Sequence, residues 1–225
     1  MIAVLFLPRV AKPPYQTVIY FPGSSAFLQP GKSDSISGST LDFIMRSGRA
    51  LVWPVYKWSF ERGSGPTSTP ITPNRWRDAF IAFSKDLGRT LDYLETRADI
   101  DCTKLAYYGA SAGAEFGPVL VAIEGRFRTA VFVGGGLPPE ARAQEVDPIH
   151  FAPRVRVPVL MLNGRYDFSY PFEGYQLPLF RLLGVPEAGK RHVVIDTGHA
   201  VPRTPRTKEV LEWLDRYLGP VRTKG

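Results

Sequence analysis

The sequence predicts an α/β fold: a mostly parallel, twisted sheet with helices on both faces. Three observations carry that expectation. Short apolar runs of strand length alternate with segments long enough for helices, and that alternation implies right-handed βαβ crossovers and a sheet covered on both sides. No repeat, low-complexity tract or linker divides the 225 residues, a length that suits one α/β domain spanning 1–225 with a full core. Finally, Gly109-Ala110-Ser111-Ala112-Gly113 stands between a strand-like run and a helix-like run.

Taken in order, Ile2–Leu7 and Gln16–Phe21 are apolar runs separated by Pro8, Lys12, Pro13 and Pro14. They pair as a hairpin at the sheet edge, or the first is an outer strand. A polar loop leads from Pro22-Gly23-Ser24-Ser25 to a short helix over Leu41–Arg46, and Ala50–Val55 is the next buried strand. A second loop, from Lys57 to about Asn74, is rich in Gly, Ser, Thr and Pro. Asn74 is the expected N-cap of a long helix to about Arg97. On it Phe80, Phe83, Leu87, Leu91 and Leu94 recur at helical spacing and face the core. Leu105–Tyr108 is a buried strand, and Phe116–Ile123 belongs to the helix after the serine. Thr129–Val133 and Pro158–Leu162 follow as strands, then a helix over Phe172–Leu183 that Pro178 interrupts, a last strand Arg191–Ile195 and a last helix Thr207–Leu218.

Composition excludes several classes. At 44% hydrophobic and 22% charged the chain is globular, and no apolar run approaches the roughly 18 residues of a membrane helix. The apolar opening Ile2–Leu7 lacks a basic flank and a cleavage site and ends at Pro8, so it reads as a strand and not as a signal peptide. A single cysteine, Cys102, leaves no internal disulfide and no metal-site spacing, and the cytoplasm is the default compartment. The net charge of +7 raises nucleic acid as a partner. However, residues 1–112 hold 13 basic and 9 acidic side chains and residues 113–225 hold 15 and 12, so the excess is spread, with no accompanying motif. A solvated basic surface is expected, with neither nucleic acid nor membrane as partner.

A serine in so sharp a strand-to-helix turn has its hydroxyl lifted clear of the sheet, and the flanking glycines avoid collisions that any Cβ would cause. Such a serine needs a base, usually a histidine held by a carboxylate. Of three histidines, His192 lies inside a strand and His150 in a prolyl connection, where a structural role is expected for both. His199 directly follows the last strand, with Gly198 giving the loop freedom to turn the ring back. Asp167, just past the strand Pro158–Leu162, is the expected acid. Asp147 comes too early, and Asp196 is expected to bond its own turn. The serine, acid, histidine order matches the strand-turn-helix motif. An oxyanion hole needs two backbone N–H groups; Ala112 supplies one, and Ser24, Gly23 or Ser25 the other. Loops at the C-terminal strand ends make Tyr56, Trp58, Phe60, Phe168 and Tyr170 candidate substrate-pocket walls, unless they pack beneath those loops. Glu115 is either a solvated charge or a supporting group.

These pieces together resemble the α/β-hydrolase superfamily, nearest to small bacterial serine esterases and dienelactone-hydrolase-like or prolyl-oligopeptidase-like domains. The resemblance rests on Tyr20-Phe21-Pro22-Gly23-Ser24, Trp53-Pro54-Val55-Tyr56, Tyr108 to Gly113, Pro158 to Asp167 and Thr197-Gly198-His199. It implies a serine carboxylesterase acting on short-chain esters through an acyl-enzyme, with a small-molecule ester as partner and no metal or organic cofactor. The chain departs from the family where Phe21-Pro22-Gly23 replaces the His-Gly of many esterases. Dienelactone hydrolases carry cysteine at the elbow, so serine favours ordinary esters, and prolyl-oligopeptidase-like enzymes carry a large extra domain. Lids of this superfamily usually enter after the strand ending near Val133, where the connection here is short, so an open site is expected. A peptidase or an aryl/feruloyl esterase is the alternative enzyme, and a non-catalytic ligand-binding module the alternative class.

Overall fold

The computed structural model describes residues 2–27, 31–63, 71–140 and 142–221; parts of both polar loops, 28–30 and 64–70, lie outside the described residues. Seven strands form one sheet: β1 (Ala3–Phe6), β2 (Tyr15–Phe21), β3 (Ala50–Pro54), β4 (Ile100–Ala110), β5 (Phe127–Val133), β6 (Val159–Gly164) and β7 (Lys190–Ile195). Their spatial order is β1-β3-β2-β4-β5-β6-β7. Every pair is parallel except the edge strand β1, which runs antiparallel to β3 with Ala3 opposite Pro54 and Phe6 opposite Leu51. β1 is therefore an outer strand and does not form a hairpin with β2.

The side-chain period of two divides the core. Ile19, Phe21, Tyr107, Ala130, Phe132 and Met161 face one side, with helices α2 (Pro73–Glu95), α3 (Ala112–Ile123) and α5 (Leu177–Leu182). Val18, Tyr20, Ala106, Tyr108, Val131, Val133 and Leu160 face the other, with α1 (Asp42–Arg46) and α6 (Arg203–Leu218). Phe80, Phe83, Leu87, Leu91 and Leu94 of α2 are all buried, each contributing about 1.5–3 kcal/mol by leaving water. The cap of α2 is Thr72 and not Asn74: the Thr72 hydroxyl accepts from Arg75 N, and Pro73 occupies the first turn, where its missing N–H costs nothing.

Two further elements differ from their expected bounds. The segment before α5 is a single π-helical turn, Phe172–Gln176, so Pro178 lies at the start of a short α-helix and does not kink a long one. α6 begins at Arg203, a turn earlier than the apolar pattern indicates. Between β5 and β6 the chain makes only short turns: Gln144–Val146, α4 (Pro148–Phe151) and Ala152–Arg154. Among the described residues, no sizeable lid occurs there. Among the described residues, no helix is long and apolar enough to cross a membrane.

Candidate active site

The strand order grows outward in both directions from β2: β3 and β1 lie on one side, β4 to β7 on the other. Such a reversal opens a crevice at the C-terminal ends of the two central strands. Gly23 follows β2 and Ser111 follows β4 at that crevice. A Cβ on Gly23 would lie 3.2 Å from the Ser111 Cβ, so the loop passes directly beside the serine.

Ser111 adopts φ 51° and ψ −114°, a region a non-glycine residue occupies only at a cost of about 1–3 kcal/mol. The surrounding bonds hold it there. Its N–H donates to Val133 O at 2.8 Å, and its carbonyl accepts from Ala114 N and Glu115 N at 2.8 and 3.0 Å. The Tyr107 hydroxyl donates to Gly113 O at 2.7 Å from beneath the turn. Gly113 is required because a Cβ would overlap the carbonyl oxygen of Phe21, and one on Gly109 would overlap the Gly113 carbonyl. Ala112 opens α3, so its N–H is among the four amides without an intrahelical acceptor. Ser24 opens the 3₁₀ turn Ser24–Phe27, and Gly23 O accepts from Ala26 N at 3.1 Å.

Asp167 lies three residues past β6, fully buried, and His199 follows β7. Asp167 Oδ1 accepts from Ser169 N at 2.8 Å and Tyr170 N at 3.1 Å. Its Oδ2 meets His199 Nδ1 at 2.9 Å, and His199 Nε2 meets Ser111 Oγ at 2.9 Å. The structure thus brings together three side chains that are far apart in sequence. The glycine that permits the histidine loop is Gly164, not Gly198. A Cβ at 164 would overlap the Gly198 carbonyl, whereas space around Gly198 is open. Gly134 adopts φ 63°, a backbone region that favours glycine, and a Cβ there would lie 3.2 Å from the His199 carbonyl oxygen.

The remaining histidines differ from each other. His192 Nε2 is 3.1 Å from Asn163 Oδ1, between Phe172 and Phe180, and burial depresses its pKa to about 4. His150 is exposed at the end of α4, so burial gives no support to the structural role expected of it. Asp196 pairs with Arg165 at 2.7 Å instead of bonding its own turn.

The aromatic candidates separate by location. Tyr56 is wholly buried and stacks on Phe21 at 3.9 Å, so it is a core residue and not a pocket wall. Phe60 is buried with Ile36 and Val55 beneath the loop after β3. Trp58 packs edge-on against Phe83 and Trp76. In contrast, Phe168 is 83% exposed with its ring 6.2 Å from the imidazole, and Tyr170 stacks on that imidazole at 6.0 Å.

Three buried polar residues join them. Glu115 accepts from the Tyr170 hydroxyl at 2.7 Å and pairs with Arg142 at 2.7 Å. Burial raises its carboxyl pKa against the opposing pull of Arg142. Gln176 Nε2 donates to Gly164 O and Tyr170 O at 2.9 and 2.7 Å. The only sequence signal for this group was Glu115 itself, the one charge on the otherwise apolar α3.

The same arrangement of strands and helices recurs in solved structures. A cold-adapted esterase from an Arctic intertidal metagenomic library superposes with a TM-score of 0.70 at 18% identity, over 96% of this chain and 87% of that one. Ferulic-acid-bound Est1E from Butyrivibrio proteoclasticus gives 0.71 at 14% identity, covering 96% and 94%. Acetyl xylan esterase 1 from Thermoanaerobacterium sp. JW/SL YS485 gives 0.69 at 16%, covering 96% and 78%. The chain has the α/β-hydrolase fold. No family model and no curated protein matches its sequence. Within the α/β-hydrolase fold, the hydrogen-bonded line from Asp167 through His199 to Ser111 lies at the crevice where ligands bind such sheets.

Proposed function

We propose that the chain is a serine carboxylesterase, a single α/β-hydrolase domain over 1–225, cleaving short-chain carboxylic esters through an acyl-enzyme. The observation that carries this reading is the pair of 2.9 Å contacts joining Asp167, His199 and a backbone-strained Ser111. Structural neighbours that are esterases agree with it.

Ser111 Oγ attacks the ester carbonyl carbon while His199 Nε2 takes its proton. Asp167, aimed by two backbone N–H groups, keeps the other imidazole proton on Nδ1 and stabilises the imidazolium. The developing oxyanion accepts from the N–H of Ala112 and from that of Ser24, with Gly23 allowing the close approach. Each such donor is worth about 3–4 kcal/mol of barrier. Collapse of the tetrahedral intermediate expels the alkoxide, which receives the proton from His199. A water, deprotonated by the same imidazole, then cleaves the acyl-enzyme and returns the proton to Ser111.

The leaving oxygen must come within hydrogen-bond reach of His199 Nε2, so the alcohol lies on the side of Phe168 and Tyr170. Exposed Phe168 favours, as a second reading, esters whose alcohol carries an aryl group. The short β5–β6 connection favours an open site. Ser111→Ala is expected to abolish hydrolysis of p-nitrophenyl butyrate, and retained turnover would remove the assignment. A fluorophosphonate should label Ser111; no adduct would favour a ligand-binding module, and faster turnover of p-nitrophenyl palmitate than of the butyrate would contradict the open site.

A further inference from the structure

We infer that Tyr170, Glu115 and Arg142 form a positioning network that sets the alignment of the Asp167–His199 pair, so that turnover depends on buried hydrogen bonds that do not touch the reacting atoms. The inference rests on the serine-esterase reading above. Its starting point is a cost. The Arg142 and Glu115 side chains are only 3% and 5% exposed, and a buried ion pair of this kind often stabilises a fold less than apolar residues of similar volume would. Packing alone therefore does not account for it.

Its location does. Glu115 sits one helical turn beyond Ser111, and its own N–H is bonded to the Ser111 carbonyl at 3.0 Å. One carboxylate oxygen takes Arg142 Nη2 and the other takes the Tyr170 hydroxyl, both at 2.7 Å. Tyr170 then touches both remaining members of the hydrogen-bonded line. Its ring stacks on the imidazole with 29° between planes, and its N–H donates to Asp167 Oδ1 at 3.1 Å. Gln176 holds its carbonyl.

The other end is also anchored. The Arg142 guanidinium lies 3.9 Å over the Trp76 ring and reaches Glu140 at 3.4 Å. Trp76 packs on Phe116, the neighbour of Glu115. The network thus fixes three independent pieces against one another: the β5–β6 connection, the first turn of α3, and the loop carrying Asp167. Without the phenol bond, the loop and the imidazole lose their reference to the serine. Displacements near 1 Å can cost up to about a hundredfold in rate.

The experiment first measures fluorophosphonate labelling of Ser111 in the wild-type protein; no adduct there defeats the esterase reading and this inference with it. With labelling established, kcat per labelled site and KM for p-nitrophenyl butyrate are compared across four variants. Tyr170→Phe keeps the stacked ring and loses only the hydroxyl, and Glu115→Ala removes its acceptor. Both are expected to lower kcat about tenfold with KM within about twofold. Glu115→Gln turns its amide oxygen to Arg142, which can only donate, and its NH₂ to the Tyr170 hydroxyl oxygen, which can accept; both contacts survive, and it should recover most of the loss. Asp215→Asn breaks a different pair, the 2.5 Å contact to buried Arg49. It should lower the melting temperature and leave kcat alone. If Glu115→Ala does not fold, Tyr170→Phe and Glu115→Gln still decide. Melting temperatures that fall while kcat stays within about twofold would make the network a strut and overturn the inference, as would a Gln variant as slow as the Ala variant.

Discussion

Replacing Asp167 with asparagine removes a charge but keeps a shape, and the surrounding bonds dictate how the new amide must sit. Oδ1 accepts from two backbone N–H groups, at 2.8 and 3.1 Å, and only Oδ2 faces His199. The amide oxygen must take the Oδ1 place, which puts the NH₂ group opposite Nδ1. An amide NH₂ only donates. The imidazole must then accept at Nδ1 and carry its proton on Nε2, pointing that proton at Ser111 Oγ and leaving the serine without a base. Flipping the amide would leave two N–H groups facing a donor in a fully buried position. Each such loss costs about 1–3 kcal/mol, so the unproductive tautomer is favoured by about 2–6 kcal/mol. At about 1.4 kcal/mol per decade, kcat should fall between about 30-fold and about 10⁴-fold. Initial rates with p-nitrophenyl butyrate measure it, with near-UV circular dichroism as the check on folding. A folded Asp167→Asn protein within about threefold of the wild-type kcat would refute the reasoning.

Gly113→Ala should destabilise the fold by about 3 kcal/mol, since its methyl meets a backbone carbonyl of central strand β2 that cannot yield; an unshifted urea midpoint would contradict this. Phe168→Ala should leave stability unchanged because the ring is exposed. It should lower kcat/KM for benzyl butyrate about tenfold while methyl butyrate changes within about twofold, a difference near 1.4 kcal/mol of ring contact; equal effects on both esters would remove Phe168 from the alcohol side. His192 is held neutral, with a pKa of about 4 against 6.5 when unfolded. The unfolded chain binds the extra proton, so stability is lost as pH falls from 6.5 towards 4, by about 2–3 kcal/mol after allowing for partial exposure. Urea midpoints across that range should slope less in His192→Leu; equal slopes would show that another group titrates.

Local chemistry was enough to read the strand and helix sequence, the sharp turn at Ser111 and the order Ser111, Asp167, His199, because each is encoded within a few neighbouring residues. Gly109 and Gly113 mark the turn by their spacing alone, and the apolar stripe of α2 marks its buried face. The start of α2 was misplaced because Asn74 and Thr72 are both capping types, and the proline at 73 decides between them only through the backbone it imposes. Tyr56 illustrates the general limit. Sequence places it on a loop past a strand end, yet only the packing of Phe21 and Phe83 around it makes it core.

What the sequence by itself determined is therefore the succession of elements and the residue types at three strand ends. The tertiary structure alone decided which ends meet: β1 against β3, the loop of Gly23 against Ser111, and Tyr170 between the imidazole and Glu115. The reason is physical. Periodicity and turn chemistry act over a few residues, whereas the partner of Glu115 lies 27 positions away at Arg142 and 55 at Tyr170. No local preference specifies such pairs; they exist because sheet order and burial bring those three side chains to one place.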